Sequence, residues 1–115
     1  MLREETFDTG THSLNVAIGP ESGPPIILLH GVTRRWQTFL PIIPSLATRW
    51  QIFALDFRGH GRSDRSSKGY RTIDYVGDVL TLMRNRIPDS VVIYGHSLGS
   101  MVAAATASQA PERCG

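Results

Sequence analysis

The pentapeptide Gly95-His96-Ser97-Leu98-Gly99 places a serine midway between two glycines. An apolar run, Val91-Val92-Ile93-Tyr94, precedes it, and a stretch of mostly small residues, Ser100-Met101-Val102-Ala103-Ala104-Ala105, follows. Strand, sharp turn and helix in that order would hold the Ser97 hydroxyl out at the carboxyl end of a strand, as a nucleophile requires. Side chains two residues either side of the serine would collide in so tight a turn, which explains glycine at both places. The backbone N–H groups beside Ser97 would lie at a helix N-terminus, where developing negative charge is favoured. The chemistry this implies is acyl transfer through a serine nucleophile. The blander reading is a glycine-rich turn whose serine merely starts a helix.

A serine nucleophile needs a base to take its proton, and the base needs an orienting acid. The chain has four histidines. His96 adjoins Ser97, with its side chain expected to point away from the hydroxyl. His30 ends an apolar run, His60 lies in a glycine-punctuated loop and His12 in a tight turn. None of the four is expected to act as the base. Beyond Ser97 the sequence offers Glu112 and no histidine.

Two earlier stretches add to the picture. Ile26-Ile27-Leu28-Leu29-His30-Gly31 reads as a strand buried on both faces that ends in His-Gly. Gln51-Ile52-Phe53-Ala54-Leu55 reads as a second strand, closing on Asp56-Phe57-Arg58-Gly59-His60-Gly61-Arg62-Ser63. In this order, a strand ending in H-G, then D-x-R-G-x-G-x-S, then G-x-S-x-G, the chain resembles the α/β-hydrolase family over its whole length. The resemblance implies Ser97 as nucleophile, with the oxyanion-hole N–H groups coming from Leu98 and from Val32, the residue after His30-Gly31. It implies an acid and a histidine that follow the serine in chain order, both absent from residues 1–115. The chain is therefore expected to be the N-terminal part of a single α/β-hydrolase domain, lacking later strands and any cap. It is expected to expose a sheet edge beside residues 91–94 and to be inactive by itself. Reading the coding DNA past Gly115 for an Asp and a His would test this.

The resemblance also sets the expected function: a serine hydrolase acting on ester, lactone, thioester or similar small acyl compounds. Serine at the elbow argues against the family's epoxide hydrolases and haloalkane dehalogenases, which carry Asp there. Carbon–carbon bond hydrolases, cofactor-free perhydrolases and hydroxynitrile lyases share the constellation. The competing class is a non-catalytic, receptor-like binding member or an inactive truncated product. Asp56, Arg58, Gly59, Gly61 and Ser63 are expected to fix their loop rather than touch substrate. Trp36 and Phe39 are expected in the core, with pocket lining as the alternative use.

The positioning elements follow from pattern. Residues 6–8 and 13–18 read as a hairpin around Thr9-Gly10-Thr11-His12. Residues 36–46 read as a helix broken into two parts by Pro41 and Pro44. Thr72 is expected to cap a helix that buries Ile73, Val76, Leu80 and Met83 and stops at Ile87-Pro88-Asp89, and a last helix runs from the elbow to Pro111. Alternating strands and helices predict an α/β fold of three layers, αβα, with a mostly parallel sheet and an N-terminal antiparallel hairpin. The family places the strand before Ser97 near the sheet centre.

Composition excludes several classes. Net charge is +2, with eleven arginines and one lysine. Arg34-Arg35 and the group Arg58, Arg62, Arg65, Lys68 and Arg71 are basic, but acids are scattered among them and no aromatic–basic interleaving occurs. No nucleic-acid partner is expected. No run of apolar residues is long enough to span a bilayer, so no membrane partner is expected. Met1-Leu2-Arg3-Glu4-Glu5 has no apolar leader, and the single cysteine, Cys114, has no internal disulfide partner. A cytoplasmic location is expected. No set of Cys, His and carboxylates has metal-ligand spacing, and no cofactor is expected.

Overall fold

A computed structural model describes residues 2–65, 69–88 and 90–114. Lys68 of the basic group and Asp89 of the helix stop lie outside the described residues, as do Met1 and Gly115. Two strands, β1 (Arg3–Asp8) and β2 (Ser13–Ile18), pair antiparallel around the Thr9–His12 turn. Three more strands, β3 (Pro25–Leu29), β4 (Gln51–Leu55) and β5 (Val92–Gly95), complete a sheet of order β1-β2-β4-β3-β5. The β4, β3 and β5 strands run parallel, and β2 meets β4 antiparallel.

Strand alternation divides the core into two layers. Ile27 and Leu29 of β3, with Phe53 and Leu55 of β4, face helices α2 (Thr72–Arg86) and α3 (Leu98–Gln109). Ile26, Leu28, Ile52 and Ala54 face the other way, against Trp36, Phe39 and Ile43. Those three residues belong to a 3-10 turn, Trp36–Phe39, and a one-turn helix, α1 (Ile43–Leu46). Both faces of the β3 strand are thus buried, and the expected two-part helix is present. The result is the three-layer αβα arrangement with an antiparallel hairpin at one edge.

Three expectations need correction. Thr72 is the first residue of α2 rather than its cap. Asp74 reaches back instead, and its carboxylate accepts from the Arg71 N–H at 2.9 Å and from Arg71 Nε at 3.2 Å. The buried face of α2 is also rotated from the expected one. Tyr75, Val76, Val79, Leu82 and Met83 are buried, whereas Ile73 is 58% exposed and Leu80 is only partly covered. As expected for this chain, β5 is the edge strand among the described residues. A parallel bridge between Val91 and Cys114 touches its open side at one point, with the Val91 N–H donating to the Arg113 carbonyl at 2.7 Å. The α3 helix ends at Gln109 rather than Pro111, because Pro111 disfavours helical backbone at Ala110.

Candidate active site

The elbow is built by two glycines, each for its own reason. A Cβ on Gly95 would lie 2.1 Å from the carbonyl oxygen of Gly99, so the turn closes on itself there. A Cβ on Gly99 would instead strike β3, 2.0 Å from the Leu29 carbonyl oxygen. The second glycine therefore seats α3 against the neighbouring strand, a role the sequence reading did not separate from the first. Between them Ser97 adopts φ 60°, ψ −118°, exposed to solvent. Its side chain makes no capping hydrogen bond to α3. A serine serving only to start a helix would cap it.

Gly31 brings the β3 loop to the elbow: a Cβ there would be 3.3 Å from Ser97 Cβ. The next residues, Val32 and Thr33, are exposed, and the Arg34 N–H closes a turn onto the Gly31 carbonyl at 3.1 Å. Among the described residues neither the Val32 N–H nor the Leu98 N–H donates a hydrogen bond. Thr33 (φ 63°) and Ser97 (φ 60°) are the non-glycine residues with positive φ in the described chain. Such backbone costs of order 1–3 kcal/mol per residue and clusters at functional sites.

The histidines lie elsewhere. His30 is fully buried, and both ring nitrogens are engaged. Its Nδ1–H donates to the Gly31 carbonyl at 2.7 Å, and Nε2 accepts from the Phe57 N–H at 3.0 Å. That pattern fixes a neutral ring, and burial holds its pKa below the usual 6.5. His30 thereby clamps the β3 loop to the loop after β4. His60 Nδ1 donates to the Arg58 carbonyl at 2.9 Å. His12 Nε2 lies 3.2 Å from Asp78 on the far side of the hairpin. His96 lines a small cavity with Thr38, Phe39, Pro41, Ile42 and Tyr94. No histidine is hydrogen-bonded to Ser97.

The loop after β4 is closed on itself. The Asp56 carboxylate, 1% exposed, accepts from the Trp36 N–H (2.8 Å), Asn15 Nδ2 (3.0 Å) and the Arg62 N–H (3.0 Å). Ser63 Oγ donates to the Asp56 carbonyl at 2.6 Å and accepts from the Asn15 N–H at 2.8 Å. Arg58 makes a two-pronged pair with buried Asp78, at 2.8 and 2.7 Å. Gly61 is required because a Cβ there would fall 2.2 Å from the Asp56 carboxylate. These residues fix the loop, as expected. Asn15, which ties it to β2, was not singled out in the sequence. Its partner is 41 positions away, and no local pattern marks it. Trp36 is buried in the core, its Nε1 donating to Glu4 at 3.1 Å, whereas buried Phe39 also lines the cavity beside His96. Among the described residues no group of three His, Cys or carboxylate side chains could hold a metal ion, and no helix is long and apolar enough to cross a membrane.

An ordered strand–elbow–helix against an H-G loop at the carboxyl ends of parallel strands is a family arrangement, and comparison bears this out. The chain belongs to the α/β hydrolase fold family, whose model matches residues 24–115. It is 35% identical to 2-(acetamidomethylene)succinate hydrolase of Mesorhizobium japonicum, over 91% of this chain and 37% of that protein. It is 36% identical to epoxide hydrolase B of Mycobacterium tuberculosis, over 91% of this chain and 31% of that protein. The crystal structure of E-2-(acetamidomethylene)succinate hydrolase superposes with a TM-score of 0.93 at 32% identity, covering 99% of this chain and 42% of that one. The chain thus spans well under half the length of these relatives, which are hydrolases by name.

Proposed function

We propose that this chain forms the nucleophile-bearing part of a serine hydrolase acting on small acyl compounds, with Ser97 as nucleophile. The observation that carries the reading is Ser97 itself, exposed at positive φ with its hydroxyl uncommitted and Gly31 beside it. In the reaction, Ser97 Oγ bonds to the acyl carbon as its proton passes to a base. The bond to the leaving group then breaks, the leaving group takes the proton, and water releases the acid and restores the serine. The N–H groups of Val32 and Leu98 receive the charge on the attacked oxygen. Each donor of this kind is worth about 2.7–4 kcal/mol in the transition state.

The substrate named for the Mesorhizobium relative is an acetamido compound carrying the two carboxylates of succinate, which suits acyl chemistry. The likeness to an epoxide hydrolase points to a different nucleophile. Ser97, where that branch carries Asp, favours acyl transfer. None of the four histidines reaches Ser97, so the 115 residues alone are proposed to be inactive, and the base and acid must come from further polypeptide.

The test is fluorophosphonate labelling of the polypeptide that supplies those groups. Ser97 should label and Ser97→Ala should not, with hydrolysis of 4-nitrophenyl acetate falling on the order of 10⁴–10⁶-fold. The 115-residue chain should turn over 4-nitrophenyl acetate no faster than its own Ser97→Ala variant. Near-full activity of a folded Ser97→Ala enzyme would remove Ser97 from the mechanism.

A further inference from the structure

Most arginines in this chain are already engaged. Arg3, Arg58, Arg62, Arg71 and Arg86 each pair with a carboxylate. Arg84 donates to Thr81 Oγ1 at 3.2 Å, and Arg113 to the Ile87 carbonyl. The other four, Arg34, Arg35, Arg49 and Arg65, have no carboxylate partner among the described residues; of these, Arg34, Arg35 and Arg65 line one open pocket of about 590 Å³ with Thr33 and Gln37, and Arg49 does not. Among the described residues the side chains of Arg34 and Arg35 have no hydrogen-bond partner, and Arg65 makes one long contact, 3.4 Å, to the Ser63 carbonyl. Among the described residues no acidic one lines the pocket. Gln37 adds a second unsatisfied group, a buried side-chain oxygen without a partner. A turned amide would present its N–H₂ there, and a ligand N–H would satisfy the oxygen as it stands.

The pocket shares a loop with the proposed reacting centre. Its wall begins at strained Thr33, next to Val32, and Arg34 sits at the end of the turn that starts at Gly31. A turn of this kind holds its first and last Cα atoms within about 7 Å. A Cβ on Gly31 would in turn lie 3.3 Å from Ser97 Cβ. A group held by Arg34 or Arg35 would therefore belong to the same small molecule whose acyl carbon meets Ser97.

We propose that Arg34 and Arg35, assisted by Arg65, form a carboxylate-binding subsite beside the elbow, so that the substrate is an acyl compound bearing a free carboxylate. The planar guanidinium matches a carboxylate through two parallel hydrogen bonds, and two unpaired guanidiniums side by side favour an anion over a neutral group. As a statement about substrate it rests on the serine-hydrolase reading above. As a statement about the pocket it does not.

The experiment separates the two. Succinate is titrated into the full-length protein while the arginine Nε–Hε NMR signals are followed, with succinamide as the uncharged control and inorganic phosphate as the competing anion. Succinate should shift the Arg34 and Arg35 signals and succinamide should not. The Arg34→Gln/Arg35→Gln double variant should bind succinate about tenfold or more weakly. Succinate should also slow fluorophosphonate labelling of Ser97 in the parent and not in the double variant. Absence of the shifts overturns the subsite. Phosphate shifting the same signals at equal or lower concentration overturns the assignment to a carboxylate. If Ser97 does not label at all, the nucleophile reading fails, while the NMR titration still decides the pocket.

Discussion

The loop after β4 and the elbow after β5 stand at the carboxyl ends of the two strands that flank β3, and they treat polar groups in opposite ways. In the first, the buried Asp56 carboxylate accepts three hydrogen bonds and the Ser63 hydroxyl both donates and accepts. In the second, the Ser97 hydroxyl and the Val32 and Leu98 N–H groups lack partners among the described residues, and the strained backbone of Thr33 and Ser97 is gathered there. The first region is glycine- and arginine-rich and contains a serine and a histidine, so residue type alone would nominate it equally well. What separates them is satisfaction: groups already saturated hold structure, whereas groups left open next to strain are free to meet a ligand.

The largest expected effect breaks the elbow's geometry. Gly95→Val and Gly99→Val should each abolish cooperative unfolding in urea, a loss of more than about 4 kcal/mol, because the new Cβ meets backbone at 2.1 Å or 2.0 Å and a β-branched side chain cannot swing clear. A normal unfolding transition in either variant would show that the elbow can relax. Next comes the saturated loop. Asp56→Ala would strand the buried Trp36 N–H and Asn15 side chain together with the Arg62 N–H, at a cost of about 3 kcal/mol or more by urea melt. Any loss of Ser97 labelling should track the fraction unfolded. Loss of labelling in fully folded protein would give Asp56 a part in the chemistry and erase the contrast.

These two regions were not equally readable in the sequence. Spacing alone located the elbow, since G-x-S-x-G between an apolar run and a small-residue helix has a steric cause at both glycines. It did not reveal that Gly99 answers to Leu29 of β3, a contact between residues 70 apart in number. The Asp56 motif announced a tight loop, but not its tie to β2 through Asn15. The phase of α2 was misread because Ile73 is apolar and well spaced, yet it sits in the first turn, where the helix has only begun to meet the sheet. Tyr75, Val79 and Leu82 were the missed core residues, the Tyr75 ring lying 4.9 Å from that of Phe57. Tertiary packing chose the face; periodicity alone fixed only that a helix exists.

A smaller effect reads the clamp between the regions. Burial holds the His30 pKa below its usual 6.5, so the unfolded chain binds this proton more readily than the folded one. Stability from a neutral buried imidazole is complete above about pH 6.5 and falls as pH drops from there toward the lower folded-state pKa. Glu4 and Glu5 do not confuse this window. Glu4, held down by its hydrogen bond from Asn15, and Glu5, held down by Arg86, titrate below their usual 4.5. The urea midpoint should therefore decline between pH 7.5 and pH 5.5, the unfolding free energy falling by at most about 1.4 kcal/mol per pH unit for one proton. The His30 ring signal should not titrate until below 6.5. A flat midpoint, or a His30 pKa at or above 6.5, would remove the clamp.

The smallest effect tests strain directly. Replacing a helix-start serine by glycine ordinarily weakens a protein by roughly a few tenths of a kcal/mol. At position 97 the balance should reverse. Glycine adopts φ 60°, ψ −118° without steric cost, the strain of about 1–3 kcal/mol is released, and the hydroxyl gives up no hydrogen bond. Ser97→Gly is expected to stabilise the fold by about 1 kcal/mol while abolishing labelling. Ser100→Gly, three residues on, should do the opposite. Ser100 lies within α3, and its hydroxyl donates to the Ser97 carbonyl at 2.7 Å, so both propensity and a hydrogen bond are lost. Paired urea melts of the two variants decide the matter by sign. If Ser97→Gly destabilises as Ser100→Gly does, position 97 carries no strain. The open hydroxyl would then be an ordinary surface serine, and the elbow would lose the feature that sets it apart from the loop after β4.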